Sequence, residues 1–212
     1  IRMRISMKTE LMASRLHVQG KLNDAEQGYR ALLTQEPASA LLLSNLAAIC
    51  IGSGRGAEAI ALLQRAIALQ PDYVHAHRNL GIALRGQKRH DEAAAAFQRV
   101  LNRDPGDVGV LFELATLEKE RGRLIDAERY CRAVVYAKPS DYLATLELGV
   151  ILSAQSKNLD AIAAFERALA LKPSSYTAHF NIGGILSRQG ALEAAVKHFR
   201  AAIAIKPDYR LA

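Results

Sequence analysis

The six prolines of this chain stand 34 residues apart, at Pro37, Pro71, Pro105, Pro139, Pro173 and Pro207. Independent placement would not give that spacing, so one unit is repeated six times. A period of this length belongs to stacked repeat architectures, in which a unit cannot bury its apolar face without a neighbour. Such an array displays a long surface, and a surface of that kind is expected to bind rather than to catalyse.

Further rows keep the same register. Ala25, Ala59, Ala93, Ala127, Ala161 and Ala195 form an unbroken alanine row. Met12, Leu46, Leu80, Leu114, Leu148 and Ile182 form a bulky core row, each followed by a small residue at Ala13, Ala47, Gly81, Ala115, Gly149 and Gly183. Tyr29, Leu63, Phe97, Cys131, Phe165 and Phe199 form another. Over 74–107 the apolar spacing predicts one helix at 74–86, a break at Gly86 to Arg89, and a second helix that Pro105 helps to end. Asp91 is expected to cap that second helix, with Glu92 in its first turn. Gly81 and Ala93 let the two helices approach, and Phe97 fills the space beside them.

The large–small, alanine, aromatic and proline rows resemble the tetratricopeptide repeat over residues 6–209. The resemblance implies an all-α fold, a right-handed α-α superhelix of six helix-turn-helix repeats at 6–39, 40–73, 74–107, 108–141, 142–175 and 176–209. Residues 1–5 are then an extension, and 210–212 begin a further segment. The slot that is often tryptophan in the family holds Thr9, Leu43, His77, Leu111, Thr145 and His179, where His77 and His179 are expected to pack.

Stacking predicts apolar positions where each first helix meets the preceding repeat: Leu42 and Ile49, Ala76 and Ala83, Val110 and Leu117, Ala144 and Ile151, Ala178 and Ile185. The same positions in the first repeat hold Lys8 and Arg15, as expected at the start of an array. Ile203 and Ile205 still call for a neighbour, which suggests a longer parent chain or self-association through that end.

Composition narrows the chemistry. The formal charge is +7, and Lys21, Arg55, Arg89, Arg123 and Lys157 recur at the turn within each unit. No aromatic residues interleave with them as single-strand binding needs, so nucleic acid is not an expected partner. Cys50 and Cys131 lie in core rows and read as small buried fillers. His75 and His77, two apart on a helix, face different directions. The Gly52–Gly56 segment lacks the strand and lysine–serine ending of a phosphate loop. No catalytic residues, metal ligands or cofactor are expected. No run of 18 apolar residues is present, so no membrane span is expected, and a cytoplasmic location is the expectation.

In tetratricopeptide arrays the first helices line the concave surface where peptides lie. The resemblance therefore directs attention to first-helix rows that vary between units. One row reads Leu11, Asn45, Asn79, Glu113, Glu147 and Asn181; the next reads Glu10, Ser44, Arg78, Phe112, Leu146 and Phe180; further along the helices stand Arg85 and Lys119. Asparagine amides can pair with a peptide backbone whatever its side chains, Phe112 and Phe180 can anchor apolar groups, and Glu113 and Glu147 favour a basic stretch of ligand. The expected contacts are Asn45, Arg78, Asn79, Arg85, Phe112, Glu113, Glu147, Phe180 and Asn181. Asn79-Leu80-Gly81 and Asn181-Ile182-Gly183 are also similar to the repeats of O-linked N-acetylglucosamine transferases, whose asparagine ladder holds the substrate backbone, although Leu11, Glu113 and Glu147 interrupt that ladder here. The expected function is a protein-interaction module for a peptide or protein, or alternatively the substrate-recruiting arm of a larger transferase, or a self-associating scaffold.

Overall fold

The computed structural model describes residues 11–207, which form twelve helices and no strand. The helix α1 runs over residues 11–18. It is followed by α2 (Leu22–Gln35), α3 (Ala40–Gly52), α4 (Gly56–Leu69), α5 (Val74–Gly86), α6 (His90–Leu101) and α7 (Val108–Glu120). The remaining helices are α8 (Leu124–Ala137), α9 (Tyr142–Ala154), α10 (Asn158–Leu171), α11 (Tyr176–Arg188) and α12 (Leu192–Ile205). Odd-numbered helices are the first of each 34-residue unit and even-numbered helices the second.

The chain divides into two compact units, 1–110 and 111–212, with α7 beginning in the first and continuing into the second. Within the first, α2 packs on α3, α3 on α4, α4 on α5 and α5 on α6, while α3 also touches α5. Within the second, the sequence α8 to α12 packs in the same order and α9 touches α11. Within each unit the packed helices therefore lean on their immediate neighbours, and the first helices α3 and α5, and α9 and α11, also touch each other.

The apolar rows explain that packing. Leu42, Ile49, Ala76, Ala83, Val110, Leu117, Ala144, Ile151, Ala178 and Ile185 are all buried. Arg15 is exposed, while Lys8 and Glu10 lie outside the described residues. A Cβ added at Gly81 would sit 2.4 Å from the Phe97 ring, one at Gly149 2.6 Å from Phe165, and one at Gly183 2.8 Å from Phe199. Those distances are below contact range, so the missing side chain is what admits the ring. Met12 departs from the core row to which its register assigns it: it is 63% exposed, because no earlier second helix covers it among the described residues. At the other end Ile203 is 54% exposed.

The helix ends are also periodic. Ser39 accepts from Leu42 N–H at 3.3 Å, Asp107 from Val110 at 3.0 Å, Asp141 from Ala144 at 3.0 Å and Ser175 from Ala178 at 3.2 Å, each capping a first helix. Asp91 is not the cap of α6. Arg89 holds that position without a side-chain cap, since α6 starts at His90 and Asp91 already lies in its first turn. First helices end with a Schellman bond, in which a backbone N–H five residues on reaches back to the last turn: Arg55 to Cys50 at 2.8 Å, Arg89 to Leu84 at 2.9 Å, Lys157 to Leu152 at 3.0 Å. The preceding residue must be left-handed. Gly54 has φ of 74°, but the same position in two other repeats is Lys88 at 58° and Ser156 at 60°.

A left-handed conformation costs a residue with a Cβ about 1–2 kcal/mol, part of which glycine returns through its freer unfolded chain. Ser156→Gly should therefore stabilise the fold by about 0.5–1 kcal/mol, read as a higher midpoint in urea with an unchanged slope; a lower midpoint would contradict this account of the turn.

Candidate functional site

All nine candidate contacts are half-buried on first helices. In the first unit Asn45 lies on α3 and makes no hydrogen bond to another described residue. Its neighbour Ser44 is buried and accepts from Asn79 Nδ2 on α5 at 3.4 Å. Arg78 Nη2 pairs with Asp107 Oδ2. The other oxygen of Asp107 is the cap of α7, so this guanidinium is tied to the start of the next repeat. Arg85, two turns beyond Arg78 on the same helix, is half-buried.

In the second unit Phe112 and Glu113 lie on α7, Glu147 on α9, and Phe180 and Asn181 on α11. Lys119 Nζ pairs with Glu147 Oε1, so the acidic character anticipated for this row is partly offset from within. Asn181 Nδ2 donates to Thr177 O of its own helix at 2.8 Å. The Phe180 ring lies 5.7 Å from that of Phe199, contact within the repeat rather than a free apolar anchor. The amides of Asn79 and Asn181 thus each have one of two Nδ2 hydrogens engaged and keep their carbonyl oxygens, whereas Asn45 keeps its whole amide.

Profiles of the tetratricopeptide repeat family match residues 11–73, 51–108, 84–147 and 146–210. The chain belongs to the tetratricopeptide repeat family. Among solved structures it is similar to pilF of Pseudomonas aeruginosa, with a TM-score of 0.82 at 15% identity over 98% of this chain and 94% of that one. It is also similar to MamA from Desulfovibrio magneticus RS-1, with a TM-score of 0.75 at 22% identity over 81% and 97%. A third relative is YrrB, described as a TPR protein with an unusual peptide-binding site, with a TM-score of 0.71 at 19% identity over 85% and 93%. At these identities the likeness concerns the fold. A search of curated proteins gave no match. Among the described residues no helix is long and apolar enough to cross a membrane, and no three His, Cys, Asp or Glu residues are grouped to hold a metal ion.

The basic turn row of this tetratricopeptide array is largely neutralised. Arg55 pairs with Glu26 at 2.5 Å and with Glu58 at 3.2 Å, Arg89 with Glu92 at 2.8 Å, Arg123 with Glu118 at 3.6 Å and Lys157 with Glu128 at 2.7 Å. Glu26–Arg55 and Glu128–Lys157 join neighbouring repeats and are the same pair three repeats apart. Where the slot of Glu26 holds Ile60 or Ala94, the turn arginine instead finds a carboxylate in its own unit. A row whose charges are spent on internal pairs holds less for a polyphosphate than +7 suggests. Cys50 and Cys131 are buried, and burial pushes the Cys131 thiol up to about 12, as fits packing residues.

The sequence assigns His77 and His179 of the family's tryptophan slot to packing without naming their partners. That slot is matched by a position on the following helix, giving the pairs Leu43 and Leu62, His77 and Ala96, Leu111 and Tyr130, Thr145 and Ala164, His179 and His198. In the last pair the two Nδ1 atoms are 3.1 Å apart. Burial lowers both imidazole pKa values, and the proximity of His179 lowers that of His198 further.

Hydrogen bonds from Arg55 and then Arg30 hold the Glu26 carboxyl at about 2, against an ordinary value of 4.5. The unfolded chain therefore takes up this proton first as pH falls. The contribution of the pair is whole above pH 4.5, and is lost between 4.5 and about 2. Glu26→Gln should flatten the fall of urea midpoint with pH in that window; an unchanged slope would show that the pair adds nothing to stability.

Proposed function

We propose that the half-buried first-helix rows bind an extended peptide segment of a protein partner. The observation that carries this reading is a contrast between rows. The buried rows keep one character, alanine throughout at Ala25 and its equivalents and always apolar at Leu46, Leu63 and theirs, whereas the rows holding Asn45, Arg78, Asn79, Glu113, Glu147 and Asn181 change between polar, charged and apolar from unit to unit. Packing against a repeated neighbour asks for repetition; a non-repetitive ligand asks for variation. The peptide-binding site ascribed to the similar protein YrrB supports the same class of partner.

The side-chain pairings refine what such a partner would meet. In the first unit Arg78 and Arg85 offer positive charge beside Asn45 and Asn79. Asp107 anchors Arg78 through Nη2, and with Nε buried it is Nη1 that would meet a ligand carbonyl or carboxylate. In the second unit Glu113 and Glu147 offer negative charge, with Lys119 holding Glu147 in place. Backbone reading falls mainly to Asn45, whose amide can both donate and accept, and to the Oδ1 atoms of Asn79 and Asn181, which accept from peptide N–H groups. Asp107→Ala should then act indirectly, by releasing Arg78.

A peptide array probed with the intact chain and with Asn45→Ala/Asn79→Ala/Asn181→Ala tests this. Loss of roughly tenfold or more in binding, about 1 kcal/mol per hydrogen bond removed, is expected across peptides of different sequence. Binding that survives the triple substitution would remove the first-helix rows from the site.

A further inference from the structure

The helix α9 has a single charged residue among its thirteen, Glu147. One side of it, with Ala144, Thr145, Leu148, Ile151 and Leu152, is buried. Leu143, Leu146, Glu147 and Val150 stand on the other side, at the i, i+3, i+4 and i+7 spacing that lines one helix face. Leu143 is 62% exposed, and Leu146 and Val150 are half-buried. A helix that is apolar all round is ordinarily covered all round, yet the described residues leave this face open. In the same slots α5 carries His75, Arg78, Asn79 and Ile82, and α7 carries Gly109, Phe112, Glu113 and Thr116. The repeat therefore does not need aliphatic side chains there in order to pack.

The neighbouring first helix α11 touches α9, and the repeat register sets Phe180, Asn181 and Gly184 beside Leu146, Glu147 and Val150. Gly183 is explained by packing, because a Cβ there would lie 2.8 Å from the Phe199 ring. Gly184 is not. Beyond the helix's own backbone, a Cβ at Gly184 would find within 4 Å, among the described residues, just Arg188 Nη1 at 3.8 Å, the far end of a flexible side chain. The other repeats carry Ser14, Ala48, Ile82, Thr116 and Val150 at this position. Glycine inside a helix lowers its stability, so here the chain gives up stability for open space beside an aliphatic ridge. Phe180, braced by Phe199 at 5.7 Å between ring centroids, stands one turn from that gap. The charge on this face is Glu147. Lys119 holds its Oε1, while Oε2 makes no hydrogen bond or ion pair among the described residues and the side chain is 19% exposed.

We infer that α9 and α11 form the anchor point of the peptide site, and that its partner carries a large apolar side chain with a basic residue two positions away. This rests on the reading of the first-helix rows as a peptide site and names the side chains that the site selects. The apolar side chain fills the space over Gly184 and covers Leu143, Leu146 and Val150, removing exposed aliphatic surface from water. The basic residue pairs with Glu147 Oε2 in a charge-assisted hydrogen bond. In an extended chain alternate side chains point to one side, so residues two apart reach both places. The ligand backbone between them meets the carbonyl oxygen of Asn181.

The test uses fluorescence anisotropy with three labelled, amidated probes: Gly-Lys-Ser-Leu-Ser-Lys-Gly, the same peptide with serine for leucine, and the same peptide with glutamate for both lysines. The first should bind tenfold or more tighter than either of the others. Gly184→Leu should keep or raise Tm, since the space it enters is open, and should weaken the first probe tenfold or more by filling that space. Leu143→Ser, at an exposed position, should keep Tm and weaken binding several-fold. Glu147→Gln should abolish the preference for lysine over glutamate. Leu41→Ser, at the same slot of α3 and 44% exposed in the parent, should leave binding unchanged. No binding of the first probe, equal binding of the leucine and serine probes, indifference to both Gly184→Leu and Leu143→Ser, or an equal loss in Leu41→Ser would each overturn the inference. Array peptides lost in Asn45→Ala/Asn79→Ala/Asn181→Ala but unaffected by Gly184→Leu and Leu143→Ser would overturn the anchor and leave the asparagine rows as the site. Indifference to all of these substitutions would remove both.

Discussion

The fold depends on how closely two helices can approach within and between repeats. Glycine at 81, 149 and 183 removes the one side chain that would strike the phenylalanine of the following helix, and the alanine row does the same on the second helix. Once those helices lie close, apolar faces remain that only the next repeat can cover. Burial of Leu42, Ile49, Ala144 and Ile151 is the consequence. Stability is accordingly a sum over neighbours rather than the property of one central core.

Two consequences for function follow from this local construction. Packing fixes some helix faces identically in every repeat, leaving the others free to vary, and the candidate contacts fall on the varying faces. Charge is also handled locally. Where a second helix carries Glu26 or Glu128 it bridges to the turn of the next repeat, and where it carries Ile60 or Ala94 the arginine of the next turn pairs within its own unit. The same logic applies to neutral partners: His77 holds the carbonyl of Pro71, whereas at the equivalent place, where Thr145 bonds to Asp141 O instead, Arg167 holds the carbonyl of Pro139.

The division between what sequence revealed and what it did not follows the same line. Helix positions and the buried rows were legible because they repeat six times; 74–86 was read residue for residue as α5. The left-handed turn was equally legible, through Gly20, Gly54, Gly122 and Gly190 at the repeat period, yet was not read. Features belonging to single repeats were less so. Asp91 offers a capping side chain, but the turn geometry assigns the cap position to Arg89. Met12 follows the core register, but no neighbour among the described residues buries it. Asn181 bonding to Thr177, Phe180 meeting Phe199 and Lys119 reaching Glu147 each depend on individual side-chain geometry, which no period encodes.

Neighbour-by-neighbour stabilisation is the claim on which the rest stands, and hydrogen exchange on Leu148→Asp tests it most directly. Leu148 is buried in the fifth repeat, and an unpaired charge there should unfold its surroundings. Faster exchange is expected in repeats four to six, with repeats one and two protected as in the parent chain. Uniform loss of protection from one end to the other would contradict the account, since it would mean that the chain folds as one cooperative core.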